Sequence, residues 1–275
     1  MPTTIAPATA KPRVLRFLLA KTRESARKGV HNVQRLVLFD IDETMISSDG
    51  AGRRAISRVL NEHYQIDPQH MNIPMSGKTD PQILTEIMTA SKMPMHEISD
   101  AIPKVIDQYL DLLQEEIVAS QYYIVHDGVY LLLEAIAAHP DMYLGLLTGN
   151  VERGARMKLD HFDLNKHFEL GAYGSDSANR LDLPAVAVER ALQLFKIHFQ
   201  PDEVVIIGDS VNDVLCAKGY SAKCIAVNTG KTSWEELERS NPEYLFKSLS
   251  NTQKVMDAIL APMPISTKGT NKFPN

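Results

Sequence analysis

Two carboxylates one residue apart close an apolar run, where Leu36-Val37-Leu38-Phe39 leads into Asp40-Ile41-Asp42-Glu43-Thr44. On a turn leaving a strand, Asp40 and Asp42 can both face the sheet edge, and two such charges repel unless a cation lies between them. The alternative is an Asp-rich turn with no chemistry. A second pair follows the run Val204–Ile207, in Gly208-Asp209-Ser210-Val211-Asn212-Asp213. On a turn entering a helix, Asp209 and Asp213 can reach the same side. Four carboxylates converging at neighbouring strand ends call for a hard cation with oxygen ligands, and Mg²⁺ suits a site left open to water and a phosphate. A third run, Tyr143–Leu147, ends in Thr148-Gly149-Asn150, a hydroxyl and backbone N–H groups suited to phosphate oxygens.

These residues need strands to bring them together. The continuous apolar runs at Leu36–Phe39, Tyr143–Leu147, Val204–Ile207 and Cys224–Val227, with a weaker one at Phe168–Ala172, read as buried parallel strands. Val188, Ala191, Leu192 and Phe195 follow the spacing of a core-facing helix. Strands alternating with helices predict an α/β fold with a Rossmann-like parallel sheet, binding its ligand outside the carboxyl ends of the strands. Between Ser47 and Val125 the pattern is helical throughout. Its stripes are Ile56, Val59, Leu60 and Tyr64, then Ile83, Leu84, Ile87 and Met88 behind an Asp80-Pro81 start, then Ile102, Val105, Ile106, Tyr109 and Leu113. The expected organisation is a core of residues 35–48 and 126–261, an inserted helical domain over 49–125, a basic segment over 1–34 and a polar tail over 262–275. Trp234 is expected to begin a late helix.

The chain has 275 residues, 44% hydrophobic and 23% charged, which excludes wholesale disorder. No stretch approaches the ~18 consecutive apolar residues of a membrane span. Cys216 and Cys224 share no metal-ligand pattern and point to a reducing compartment, so the expected location is cytoplasmic. Residues 1–35 carry eight basic side chains against Glu24 alone, so the rest of a chain of net charge -5 is strongly acidic. An acidic body argues against nucleic acid as a partner. The basic segment reads as a surface helix, with an organelle transit peptide or a basic arm as alternatives.

The three elements in this order resemble the haloacid dehalogenase-like (HAD) superfamily, in particular its phosphoglycolate phosphatase-like members with a helical cap. D-x-D-x-T is met by Asp40, Asp42 and Thr44, the second motif by Thr148, and G-D-x-x-x-D by Gly208, Asp209 and Asp213. For the lone basic residue of the third motif Arg180 is the best match, with Lys158 and Lys166 as alternatives. The resemblance implies that Asp40 is a nucleophile and Asp42 a general acid and base. Mg²⁺ would be held by Asp40, by the Asp42 backbone carbonyl and by Asp209, with Asp213 direct or one step removed. Thr44, Thr148, Gly149, Asn150 and Arg180 would bind the phosphoryl group. Ser76-Gly77-Lys78-Thr79-Asp80 is similar to a cap segment of these enzymes, in which Lys78 meets a substrate anion or is merely solvated. His126, at the return to the core, reads as structural, and Met71, Met75, Met88, Met93 and Met95 as packing residues. Two departures stand out: Glu43 replaces a usual glycine, and Arg180 precedes Pro184 by four residues.

The function implied is a Mg²⁺-dependent phosphatase of a small phosphorylated metabolite, working through an aspartyl-phosphate. The alternatives are a sugar phosphomutase of the same superfamily and a catalytically silent binding protein. A dehalogenase would need neither Asp42 nor the metal.

Overall fold

A computed structural model describes residues 33–263, so the expectations for the basic segment and for most of the polar tail lie outside the described residues. Along the chain come β1 (Arg35–Phe39), β2 (Ile46–Ser48), α1 (Ala51–Tyr64), α2 (Asp80–Ala90), α3 (Met95–Ala119), β3 (Tyr123–Val125) and α4 (Val129–Ala138). There follow β4 (Met142–Leu147), α5 (Glu152–Asp160), β5 (Gly171–Ala172), α6 (Leu183–Phe195), β6 (Val204–Gly208) and α7 (Val211–Tyr220). Last come β7 (Lys223–Val227), α8 (Trp234–Ser240), β8 (Tyr244–Phe246) and α9 (Thr252–Leu260).

Six strands form one parallel sheet in the order β5-β4-β1-β6-β7-β8. Every residue of β1 and β6 is buried, because helices cover both faces. Val37 and Phe39 pack on one side with Leu132, Ile136 and Leu159, and Leu36 and Leu38 on the other with Leu183, Ala187 and Val214. The chain reverses its order of winding at β1, which opens a crevice at the carboxyl ends of β1, β4 and β6. Register fixes what enters it. Phe39 pairs with Leu146 on one side and Ile207 on the other, so Asp40, Thr148 and Asp209 leave the sheet at nearly one level. Two buried cations end the opposite edge: Arg35 Nε donates to Ile259 O (3.0 Å) and Lys223 Nζ to Ala258 O (2.8 Å), satisfying carbonyls at the end of α9.

The inserted helices α1, α2 and α3 have a core of their own, in which Ile56, Val59, Leu84, Ile87, Val105, Tyr109 and Leu113 are buried together. This insertion meets the core through Ser76–Asp80. Asp80 N donates to Gly149 O (2.8 Å), Asn212 Nδ2 to Ser76 O (2.8 Å) and Thr79 Oγ1 to Ala178 O (2.7 Å). The approach is so close that a Cβ on Gly149 would lie 2.0 Å from Lys78 O.

The α/β class, the parallel sheet and the helical insertion agree with the sequence reading; several local expectations do not. The segment expected to be wholly helical is bracketed by β2 and β3, which pair antiparallel. The strand expected over Phe168–Ala172 shrinks to Gly171–Ala172, and β8 was not anticipated. Leu192 is 41% exposed rather than core-facing, and Met95 is 58% exposed while the other four named methionines are buried or pack on the insertion's core. The N-cap of α2 is Thr79, whose Oγ1 accepts from Gln82 N (3.2 Å), and Asp80 is already helical. Its carboxylate is engaged elsewhere, accepting the Val151 amide (2.9 Å) across the interface.

Because the atom opposing Gly149 is backbone, Gly149→Ala cannot be relieved by a side-chain rotation. The variant is expected to lose about 1–3 kcal/mol in urea denaturation. An unchanged midpoint and slope would show that the insertion does not pack on the core as described.

Candidate active site

Each acidic side chain arrives on a different strand end. Asp40 follows β1 and donates its amide to Ile207 O (2.9 Å), which ties the turn to β6. Asp209 follows β6, and Asp213 sits in the first turn of α7, where it closes a capping box with Ser210. Its Oδ2 accepts from Ser210 N (3.0 Å) and Ser210 Oγ (2.6 Å). Asp40, Asp209 and Asp213 each offer a carboxylate oxygen, all within 4.8 Å of one another and all buried. This is the one such cluster of acidic, histidine or cysteine ligands among the described residues.

Arg180 occupies the centre of this charge. Its Nη2 donates to Asp40 Oδ1 (3.0 Å), to Leu147 O (3.3 Å) and to Asp213 Oδ1, with all three side chains buried. Burial disfavours the guanidinium charge, but Asp213 and Asp40 outweigh it and leave Arg180 more firmly protonated than usual. Burial pushes Asp40 up; Arg180 pulls it down, Asp213 and Asp42 push it up, and the carboxyl ends at about 7. Asp209 is raised by burial and then by Asp213, Asp40 and Glu43, against a weaker pull from Arg180. One arginine does not balance three buried carboxylates.

Asp42 belongs to a second group. Its Oδ2 accepts from Lys158 Nζ (2.6 Å) and Asn150 Nδ2 (2.8 Å), and its Oδ1 from Ser48 Oγ (2.8 Å). Burial raises Asp42, yet the Lys158 ammonium and the hydrogen bonds from Lys158, Asn150 and Ser48 hold it below the ordinary carboxylate range. Lys158, on α5, also donates to Asn150 Oδ1 (2.6 Å). Asp80 lies nearby, raised to about 6 by burial against the pull of Lys158 and the Val151 amide.

One pocket joins the two groups, lined by Asp40, Asp42, Asp209, Arg180, Lys158 and Asn150 on the core side. Gly149 and Lys78 also line it, although Lys78 Nζ is paired with Glu86. Thr44 and Thr148 are fully buried and do not line it: Thr44 Oγ1 donates to Asp209 Oδ1 (3.4 Å), and Thr148 Oγ1 accepts from Asn150 Nδ2 (2.8 Å). Among the basic residues weighed for the third motif, Arg180 reaches Asp40 and Lys158 reaches Asp42. Lys166 is exposed and paired with Asp163.

Glu43 adopts the left-handed conformation that glycine would take freely, with φ 60°. Its Oε1 accepts from Ser47 Oγ (3.1 Å), and its Oε2 lies 3.7 Å from His126 Nε2. Contacts of Ser48, Arg53, Tyr109 and Gly52 with this pocket were not foreseen. For Lys158 a signal was present: it lies on the buried face of α5 with Ala155 and Leu159, where an unpaired ammonium is not tolerated.

The profile of the haloacid dehalogenase-like hydrolase family matches residues 37–227. A phosphoglycolate phosphatase of Photorhabdus laumondii is 22% identical over 225 residues, covering 79% of this chain and 90% of that protein. The pyrophosphatase PpaX of Bacillus mycoides is 20% identical over 232 residues, covering 81% and 97%. Among solved structures, one described as a predicted phosphatase from Clostridium acetobutylicum superposes with a TM-score of 0.63 at 22% identity, over 82% of this chain and 99% of the other. At that identity the superposition speaks for the fold.

Two variants test the electrostatics. Replacing Glu43 by Gly removes the left-handed penalty and a carboxylate that raises Asp209, at the cost of one partly exposed hydrogen bond. We expect a gain of about 1 kcal/mol by urea denaturation, and a loss would contradict the strain assignment. Asp40 has a folded-state value raised to about 7, so the folded protein binds more protons than the unfolded chain between its ordinary value and 7. Stability of the metal-free protein should therefore fall as pH rises through that window. Asp40→Asn should show a smaller fall, overtaking wild type above pH ~7; parallel Tm profiles would contradict the shift.

Proposed function

The chain belongs to the haloacid dehalogenase-like hydrolase family and is a phosphatase; from that premise we propose that it is a Mg²⁺-dependent hydrolase of a small phosphorylated metabolite that works through an aspartyl-phosphate on Asp40. The observation that carries the reading is the meeting of Asp40, Asp209 and Asp213 around Arg180, with Asp42 across the same pocket.

The donor set fits a hard divalent cation. Its atoms are carboxylate oxygens, they are buried, and Asp40 and Asp209 are shifted upward by burial first and by neighbouring carboxylates second, both of which a cation would offset. Asp40, Asp209 and Asp213 would hold Mg²⁺, with the Asp42 backbone carbonyl as a further ligand. When bound, the ion would polarise the phosphoryl oxygens and offset the charge that grows on them.

The protein's own groups then divide the work. An Asp40 oxygen bonds to phosphorus as the bond to the leaving oxygen breaks, and Asp42 gives that oxygen a proton. Asp42 then takes a proton from water, the water oxygen bonds to phosphorus, and phosphate departs, restoring Asp40. Arg180 holds Asp40 in line and offsets charge on the transferring group, while Gly149 and Asn150 stand at the same rim. As the acid of the first half, Asp42 must arrive protonated, which Lys158 opposes. A substrate group that draws the ammonium away from Oδ2 removes that opposition. The Ser76–Asp80 contact seats the insertion over the pocket as a cap that limits access by water until the phosphoenzyme has formed. A cytoplasmic location belongs to the same reading.

A panel of 2-phosphoglycolate, pyrophosphate and sugar phosphates, assayed for released phosphate with Mg²⁺ and with chelator, tests the proposal. Expected are turnover of at least one of these compounds with Mg²⁺, its loss with chelator, and a fall of ~10³-fold or more in Asp40→Asn. Chelator-insensitive turnover, or wild-type rates in that variant, would overturn it. Isomerised sugar phosphate without released phosphate would favour the phosphomutase.

A further inference from the structure

The cap side of the pocket carries a charge and a hydroxyl that the mechanism above leaves unused. Its cations sort by their counter-charges: Arg180 faces Asp40 and Asp213, Lys158 faces Asp42, and Lys78 faces Glu86. Lys231, which also lines the pocket, is exposed. Arg53, in the first turn of α1, also lines the pocket but pairs with no carboxylate among the described residues. Its Nη1 donates to Met71 O (3.1 Å) and its Nη2 to Ile73 O (2.9 Å). Two neutral carbonyls orient the guanidinium without cancelling its charge, and its fork has further N–H groups to give.

Tyr109, on α3, supplies a second, independent observation. The residue is 0% exposed, it lines the same pocket, and its hydroxyl has no hydrogen-bond partner among the described residues. Buried polar atoms in folded proteins nearly always find a partner, so an orphan aimed into a pocket marks a place for a ligand atom. Burial, then Asp80 and Asp42, keep the phenol protonated and able to donate. Gly52, Lys158 and Tyr109 border one space, since a Cβ on Gly52 would come into ordinary contact with both groups, 3.4 Å from Lys158 Nζ and 3.6 Å from the Tyr109 hydroxyl. The acids nearest this space are already covered: Asp42 by Lys158, Asn150 and Ser48, and Asp80 by the Val151 amide. What remains on the cap side is the charge of Arg53, met by no carboxylate among the described residues, and a donor hydroxyl.

We propose that Arg53 and Tyr109 form the leaving-group end of the pocket and select substrates whose leaving group carries an oxyanion, either a carboxylate or a second phosphate. The inference rests on the phosphatase reading and adds two specificity-determining residues to it. A guanidinium fork matches the paired oxygens of either anion, and the phenol contributes one further hydrogen bond. An uncharged alkyl leaving group would satisfy neither.

The test compares kcat/KM for 2-phosphoglycolate, pyrophosphate and monoethyl phosphate in wild type, Arg53→Gln, Arg53→Lys and Tyr109→Phe. The readout is the preference for each anionic substrate over monoethyl phosphate in the variant relative to wild type, so that intrinsic reactivity cancels. Wild type is expected to prefer at least one anionic substrate, and which one it is identifies the anion. Arg53→Gln should lower that preference about tenfold or more, mainly through KM, and Arg53→Lys should recover part of it. Tyr109→Phe deletes an unpartnered hydroxyl and so leaves the fold intact; it should lower the same preference several-fold and carries the test if Arg53→Gln does not fold. A wild type without anion preference, or a preference untouched by these variants, overturns the subsite while the phosphatase reading stands. A wild type that hydrolyses none of the three, nor any other compound of the panel, overturns both.

Discussion

Like charges buried together are unstable unless something of opposite sign is built among them, and this site is arranged around that constraint. The sheet delivers Asp40, Asp209 and Asp213 to a common volume because parallel pairing holds β1 and β6 in register. Arg180 arrives from outside the sheet, on a short turn started by Asn179 just before α6, and reaches two of the three. A buried ion pair of this kind contributes little net stability, because desolvation consumes most of the attraction. The charges are better understood as functional: they keep Asp40 oriented and leave an excess of negative charge that a divalent cation would complete.

The two cations divide the acidic groups by task. Arg180 holds the carboxylates that would grip metal and phosphorus, whereas Lys158 holds the one that would move protons. Asn150 braces the second group, donating to Asp42 through its amide nitrogen and accepting from Lys158 through its oxygen. Thr148 and Thr44 then act from behind, fixing Asn150 and Asp209 rather than facing the pocket. The cap completes the enclosure through backbone contacts at Ser76–Asp80, so its seating and the geometry of Asn150 and Val151 depend on one another.

The parts legible in the sequence were those with strong local signals. Strands buried on both faces give unbroken apolar runs, and a run that ends in Asp or Thr marks where chemistry leaves the sheet; β1, β4, β6 and β7 were readable for that reason. β2, β3 and β8 are three residues each, too short for any periodicity, and form only because the chain brings their partners alongside. Thr79 replaced Asp80 as the cap because the Asp80 carboxylate is claimed by an amide 71 residues away, which no local pattern records. Linear spacing likewise could not assign Arg180 and Lys158 to their carboxylates, since both are cations at plausible distances along the chain. Tyr109 reads as an ordinary member of its helical stripe and Arg53 carries no sequence signal; the shared pocket, an unmatched charge and an unpartnered hydroxyl set them apart.

Completion of these acidic groups by one divalent cation is what the proposed chemistry requires, and thermal unfolding near pH 8 with Mg²⁺ or with chelator tests for it. Mg²⁺ is expected to raise the Tm of the wild type in a concentration-dependent way, and Asp209→Asn, folded but short of one ligand, to lose most of that increment. A Tm indifferent to Mg²⁺, or an Asp209→Asn variant that responds as the wild type does, would contradict it.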